Sequence, residues 1–199
     1  MERTRLFLEE KLHPDWPWLT TDAIRALESL LGKADLGFEW GMGRSTLWFA
    51  RRVKNITSIE HNRIWYDKIV AQAREQGIDN VELVWHEVAS PPPPAPDDHP
   101  YIAAIDHHPD HYFGFILVDG AYRDQCALKA LDHLQPGGLL IIDNINWYLP
   151  NDWTLAPASR RSADGPASER WKTFEEKVAR WRRLWTSRGI SDTAIWFKP

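Results

Sequence analysis

The segment Phe38-Glu39-Trp40-Gly41-Met42-Gly43-Arg44-Ser45-Thr46 gathers residue types that let a backbone approach a ligand closely. Gly41 and Gly43 permit a tight turn, and Ser45 or Thr46 can cap a following helix and present its first N–H groups to an anion. Glu60 lies 19 residues beyond Gly41, a spacing at which a carboxylate can take two hydrogen bonds from a ribose diol. The pairing suits a dinucleotide or an adenosyl cofactor. A dinucleotide fingerprint wants a third glycine at position 46, where this chain has Thr46. Glu39, two residues before the first glycine, puts a carboxylate where a pyrophosphate would be repelled and an amino group held. S-adenosylmethionine has that amino group, so the charges favour it. His61, beside Glu60, is placed as a ribose or adenine neighbour.

A second set of oxygens lies further along. Asp119 closes the run FGFILVD and Asp143-Asn144 closes LLIID. Hard oxygen donors at neighbouring strand ends suit Mg²⁺ or Ca²⁺, with helix capping and loop hydrogen bonding as the plain alternative. Tyr122 and Arg123 open the next helix, where either could act on an acceptor, as proton acceptor or as clamp for an anion. Asp106-His107-His108-Pro109-Asp110-His111, with Asp97, Asp98 and His99 nearby, has the composition of a metal site without its spacing. Adjacent histidines point apart and Pro109 breaks any helix that could align them, so the stretch reads as a solvated loop.

These groups need a scaffold that brings separate strand ends together, and the hydrophobic pattern supplies one. A helix begins at Thr21 with Ile24, Leu27 and Leu31 on one face and Gly32 as its stop. Strands follow at Leu36–Glu39, Asn55–Glu60 and Val81–His86, alternating with helices over 46–52 and from Asn62 to Gly77. FGFILV is apolar throughout, as a strand covered on both faces must be. Ala127, Leu128, Leu131 and Leu134 stripe another helix, ended by Pro136-Gly137-Gly138 before the strand LLIID. Strand-then-helix alternation implies parallel neighbours joined by crossovers. A helix capped by Ser168 and a hairpin of Trp181–Trp185 with Thr193–Phe197 complete a single domain spanning 1–199. The expected fold is α/β: a Rossmann-like doubly wound, mainly parallel seven-stranded sheet with an antiparallel C-terminal hairpin. The arm 1–20, the proline loop 90–100 and a mobile loop or lid over 151–168 stand outside the alternation.

Composition bounds the partners. A formal charge of -4 lacks the basic excess that phosphate contacts demand, so no nucleic-acid partner is expected and a small molecule is. No segment is apolar enough to cross a bilayer and the N-terminus shows no signal-peptide core, so no membrane association is expected. The lone Cys126 excludes an internal disulfide framework and suits a cytoplasmic setting. Nothing here opposes a homo-oligomer. The twelve tryptophans are an excess. Trp48, Trp65, Trp181, Trp185 and Trp196 read as packing residues, and Trp40, Trp85, Trp147 and Trp153 as pocket walls. Trp16 and Trp18 lie in an arm that could fold over the opening, and Trp171 stays unassigned. An aromatic-rimmed cleft would favour a flat or apolar acceptor.

Over Ala34–Trp147 and the terminal strand pair the sequence resembles the class I S-adenosylmethionine-dependent methyltransferases, through the glycine turn, ILVDG, HLQPGGLLIIDN and TAIWFKP. The resemblance implies that Glu39, Gly41, Gly43 and Ser45 contact the methionine part of the cofactor, Glu60 the ribose, and Glu87, in Trp85-His86-Glu87-Val88, the adenine amino group. Asp119 would line the same pocket. Asp143-Asn144-Ile145-Asn146-Trp147 is similar to the Asp-Asn-x-x-Trp segment of the cation-dependent catechol- and caffeoyl-type O-methyltransferases. There Asp119, Asp143 and Asn144 would hold the metal that activates a hydroxyl. Those enzymes carry a lysine three residues after the first acid, whereas this chain has Tyr122 followed by Arg123. The expected activity is methyl transfer to a small acceptor, with oxygen as nucleophile. The rivals are an NAD(P)-dependent oxidoreductase and a methyltransferase-fold protein with another metal-dependent or non-catalytic role.

Overall fold

The computed structural model of the chain describes residues 12–199. The first eleven residues of the expected arm 1–20 lie outside them. Among the described residues, β1 (Leu36–Trp40), β2 (Asn55–Glu60), β3 (Val81–Trp85), β4 (Phe113–Val118), β5 (Leu134–Asp143), β6 (Arg182–Ser187) and β7 (Asp192–Phe197) form one sheet in the order β3-β2-β1-β4-β5-β7-β6. β1 to β5 run parallel, and β7 pairs antiparallel with both β5 and β6. The chain starts in the middle of the sheet, moves outward through β2 and β3, and returns to β4. The crevice between the ends of β1 and β4 is therefore the switch point at which open α/β sheets bind ligands.

The helices are α1 (Thr21–Leu30), α2 (Arg44–Ala50), α3 (Arg63–Glu75), α4 (Pro100–Ala103), α5 (Arg123–His133) and α6 (Glu169–Val178). Asn62 caps α3 by accepting a hydrogen bond from Trp65 N at 3.1 Å, and Ser168 caps α6 through Trp171 N at 3.2 Å, as their residue types predict.

Side chains alternate between the two faces of the central strands. Phe38, Trp40, Ile116, Val118, Leu140, Ile142 and Trp196 belong to one core, which also holds Trp171 and Phe174 of α6. Phe115, Leu117, Leu139, Ile141 and Ile195 belong to the other, with Ile24 and Leu27 of α1 and Trp48 and Phe49 of α2. Every residue of β4 is buried, which accounts for its unbroken apolar run. This alternation decides the place of Glu39: with Phe38 and Trp40 turned to the first core, Glu39 must turn to the second, beneath α2.

One expectation needs correction. β5 begins at Leu134 rather than after Gly138, and its pairing with β4 shifts register between Phe113 and Phe115, so Pro136-Gly137-Gly138 is accommodated within the strand. The stretch 151–168, expected as a mobile loop or lid, makes hydrogen bonds to the body of the domain. Asn151, Thr154 and Ala156 are buried, Arg160 N donates to Asn146 O at 2.9 Å and Ala167 N to Tyr148 O at 2.8 Å. Thr154 Oγ1 donates to Asp192 Oδ1 at 3.0 Å, fixing the stretch to β7. The rest of the stretch is half-buried or exposed, so its polar composition serves both these hydrogen bonds and solvation.

Candidate functional site

The glycine turn leaves β1 at Gly41, whose φ of +101° lies in the region only glycine adopts freely. A Cβ there would stand 2.7 Å from Asp119 C and Gly120 N, so the turn packs backbone to backbone against the end of β4. Gly120 is equally constrained, since a Cβ would overlap the Tyr101 hydroxyl at 1.9 Å.

A cavity of about 520 Å³ opens beyond these strand ends, lined by Gly41, Gly43, Ser45, Glu60, His61 and Asp119 among others. Its volume lies within the range of small-molecule sites. Glu60 ends β2 almost wholly buried, and its Oε1 accepts from His61 N at 2.8 Å and Asn62 N at 2.7 Å. The chain itself thus orients this carboxylate. His61 Nδ1 lies 3.1 Å from the same oxygen but off line for a hydrogen bond.

Glu39 departs from expectation. It is fully buried behind the cavity wall, with Oε2 accepting from Thr46 Oγ1 at 2.5 Å and Ser58 Oγ at 2.7 Å and Oε1 from Ser45 Oγ. The β1–β2 register sets Ser58 beside it. Burial pushes its carboxyl up to about 7 against the lowering effect of the three hydroxyls. Glu39 therefore holds the turn in shape and does not reach the cavity. Gly43 is the N-cap of α2, and Thr46 completes the cap from the first turn, its Oγ1 accepting from Gly43 N at 3.0 Å while donating to Glu39; the Ser45 hydroxyl donates to Glu39. Glu87 is exposed and is not among the residues lining the cavity.

The aromatic wall is also redistributed. Trp40 is core, its Nε1 donating to Tyr101 O at 2.8 Å. Trp85 donates to His61 O at 3.2 Å and lies outside the lining, as do the exposed Trp147 and Trp153. Trp18 and Trp65 form the rim instead, stacked at 5.7 Å, with Arg44 over Trp18 at 5.2 Å and Lys68 over Trp65 at 4.3 Å. Trp65 was legible as packing because helical spacing alone cannot tell a core face from a cavity face.

A second pocket of about 370 Å³ adjoins the first at Gly120 and is walled by Tyr122, Arg123, Tyr148 and Trp171. Tyr148 and Trp171 stack at 4.9 Å. Tyr122 has left-handed backbone, φ 49°, and among the described residues nothing hydrogen-bonds its buried hydroxyl.

No family model matches the chain, and no curated protein matches it. Solved structures do. A methyltransferase-like protein from Silicibacter pomeroyi superposes with a TM-score of 0.61 at 22% identity, over 92% of this chain and 89% of its own. A Streptococcus mutans protein solved in complex with SAH gives 0.57 at 12% identity, over 87% and 93%. Precorrin 8W decarboxylase from Methanobacterium thermoautotrophicum gives 0.54 at 19% identity, over 94% of both chains. The fold is that of the class I S-adenosylmethionine-dependent methyltransferases.

Within this methyltransferase fold the expected metal site is differently filled. Asp119, Asp143 and Asn144 do come together, but around the Arg123 guanidinium. Arg123 Nη2 donates to Asp119 Oδ1 and O, both at 2.8 Å. Nη1 donates to Asp143 O at 2.5 Å and Asn144 Oδ1 at 3.1 Å, and Nε to Gly120 O at 3.0 Å. Asp143 turns its carboxylate away, Oδ1 accepting from Thr193 Oγ1 at 2.6 Å. Burial, with the Asp119 charge adding to it, pushes that carboxyl up to about 7. Burial also raises the Asp119 carboxyl, which Arg123 opposes. A divalent ion would have to displace the guanidinium, so these residues do not fit a metal at this point. With all its donors engaged, Arg123 is not a clamp for an anionic acceptor either.

Elsewhere, among the described residues, no group of three or more His, Cys, Asp or Glu is placed to hold a metal ion, the histidine loop included, and no helix is long and apolar enough to cross a membrane.

Proposed function

We propose that the chain transfers a methyl group from S-adenosylmethionine to the oxygen of a small, flat acceptor. The observation that carries this reading is the pair of carboxylates, Glu60 and Asp119, lining one cavity on either side of the Gly41 turn. Two negative groups in a small cavity oppose a pyrophosphate and suit a ligand bearing a ribose diol and positive charge. The cofactor, when bound, supplies a sulfonium methyl that is already electrophilic.

The protein's tasks are then to bind, align and exclude water. Glu60 takes the diol, His61 borders the nucleoside, and Asp119 faces the positive charge. Gly41, Gly43 and Ser45 form the wall through which the chain comes close to the methionine part. The Trp18–Trp65 stack covers the opening against solvent. The acceptor occupies the adjoining pocket, where Tyr148 and Trp171 offer aromatic faces and the orphaned Tyr122 hydroxyl offers a hydrogen bond to the acceptor oxygen. Asp119 lines the first cavity beside Gly120, the residue the two pockets share; Arg123 holds its Oδ1, and its Oδ2 is the oxygen offered to the hydroxyl proton as the methyl arrives. The volume of the second pocket supports a small molecule over a nucleic acid as acceptor.

Calorimetric titration with adenosylhomocysteine and NADH tests the cofactor. Binding of adenosylhomocysteine that Glu60→Gln weakens is expected, and NADH binding without it overturns the reading. Labelled methyl appearing on a phenol, within a panel of phenols, acids and amines, tests the acceptor class. Label that never leaves the cofactor across the panel overturns the transfer.

A further inference from the structure

We propose that Arg123 is the resident cation of the strand-end site: its guanidinium takes the place of a divalent ion and fastens the ends of β4 and β5, so that the ligand cavities are formed without metal. The geometry carries this. Five oxygens, Asp119 Oδ1, Asp119 O, Gly120 O, Asp143 O and Asn144 Oδ1, surround one planar group at 2.5–3.1 Å. Three are main-chain carbonyls at or just beyond the ends of β4 and β5. A guanidinium has five N–H donors in a fixed fork, so it can bridge all five oxygens, which lysine's point charge cannot. Burial works against the charge of Arg123, but Asp119 and its other neighbours hold it above its ordinary value, so it stays charged. Its ring-like plane also lies 5.9 Å from the Tyr148 ring that walls the second pocket.

The same contacts reach the cofactor cavity. Arg123 holds Asp119 and Gly120 by their carbonyls, and these residues form the backbone surface against which Gly41 packs. Arg123 is thus a positioning residue: its donors are engaged by the protein, and it acts through the β4 end on the glycine turn.

The test uses the full chain and its Arg123→Ala, Arg123→Lys and Asp119→Asn variants, with Mn²⁺ as the probe ion. Three readouts are taken: thermal midpoint with and without Mn²⁺, Mn²⁺ binding by electron paramagnetic resonance, and adenosylhomocysteine affinity. The wild type should be indifferent to Mn²⁺. Arg123→Ala should melt about 10 °C lower, bind adenosylhomocysteine about tenfold more weakly, and regain part of its midpoint when Mn²⁺ enters the vacated oxygens. Arg123→Lys should fall between the two. Wild-type Mn²⁺ binding that Asp119→Asn abolishes overturns the proposal, and this arm stands even if Arg123→Ala fails to fold. An alanine variant that keeps its midpoint and affinity, or that Mn²⁺ leaves unchanged, overturns it as well. Only the affinity arm rests on the proposed function. If adenosylhomocysteine does not bind the wild type, that reading fails while the ion and midpoint arms still decide this one.

Discussion

The two pockets that meet at Gly120 are built on opposite principles. On the β1–β2 side the cavity offers one carboxylate that, among the described residues, no Lys or Arg pairs: Glu60 is oriented by its own backbone, and the wall is glycine turn and half-open tryptophan stack. On the β4–β5 side the charges are already paired. Arg123 is saturated, Asp143 faces Thr193, and Asp124 accepts from Ser168, leaving aromatic faces and one phenol. A pocket with unspent charge selects a charged ligand, whereas one with spent charge selects by shape and a single hydrogen bond. Under the proposed function, the difference separates the pocket that holds the methyl donor from the one that admits the acceptor.

Substitutions can break the comparison in graded steps. The largest effect is expected at Gly41→Ala, where a Cβ meets backbone at 2.7 Å and φ is +101°. A loss of about 3 kcal/mol by chemical denaturation, with adenosylhomocysteine binding abolished, is the expected outcome. Wild-type behaviour would show that the turn is not held against β4.

Glu60→Gln keeps an oxygen for the His61 and Asn62 amides but removes the charge. Calorimetry should show affinity for adenosylhomocysteine reduced by about ten- to a hundredfold with little change in melting temperature. An equal loss of stability would instead mark Glu60 as structural.

A smaller effect concerns pH. Glu39 and Asp143 are both pushed up to about 7 by burial, from 4.5 and 3.8. The folded state therefore holds these protons more tightly than the unfolded one, and stability should decline as pH rises from about 4 to about 7, then level. Melting curves between pH 5 and 8 should show this slope reduced in Glu39→Gln. An unchanged slope would mean that Glu39 is ionised throughout.

The smallest effect separates the pockets most sharply. Tyr122→Phe removes a buried hydroxyl that, among the described residues, bonds nothing, so the midpoint and adenosylhomocysteine affinity should stay or rise slightly, while turnover of a phenolic acceptor falls severalfold. A loss of cofactor affinity would place Tyr122 on the donor side instead.

Much of the scaffold was legible because burial imposes periodicity. The apolar run of β4, the capping residues Asn62 and Ser168, and the closing hairpin each announce an element through local chemistry. The acids at the cavity were legible in part as to place. Glu60 and Asp119 end strands, and strand ends face the crevice in this topology. Glu39 misled because its spacing from Gly41 places it near the turn but does not say which face of β1 it occupies. Trp18, in an arm that could fold over the opening, does line the cavity; Trp65 packs, as its helical spacing predicts, and its place at the rim depends on its stack with Trp18, far away along the chain.

Sequence alone determined the alternation of strands and helices, the glycine turn and the supply of acids at strand ends, since these follow from local periodicity and from residues whose conformational range is intrinsic. Tertiary structure alone decided what those acids do. Glu39 is sequestered by three hydroxyls drawn from α2 and β2, and Asp119, Asp143 and Asn144 receive a guanidinium where oxygen ligands alone suggested a metal. Charge takes its meaning from the groups within a few ångströms, and those are chosen by the packing of distant segments.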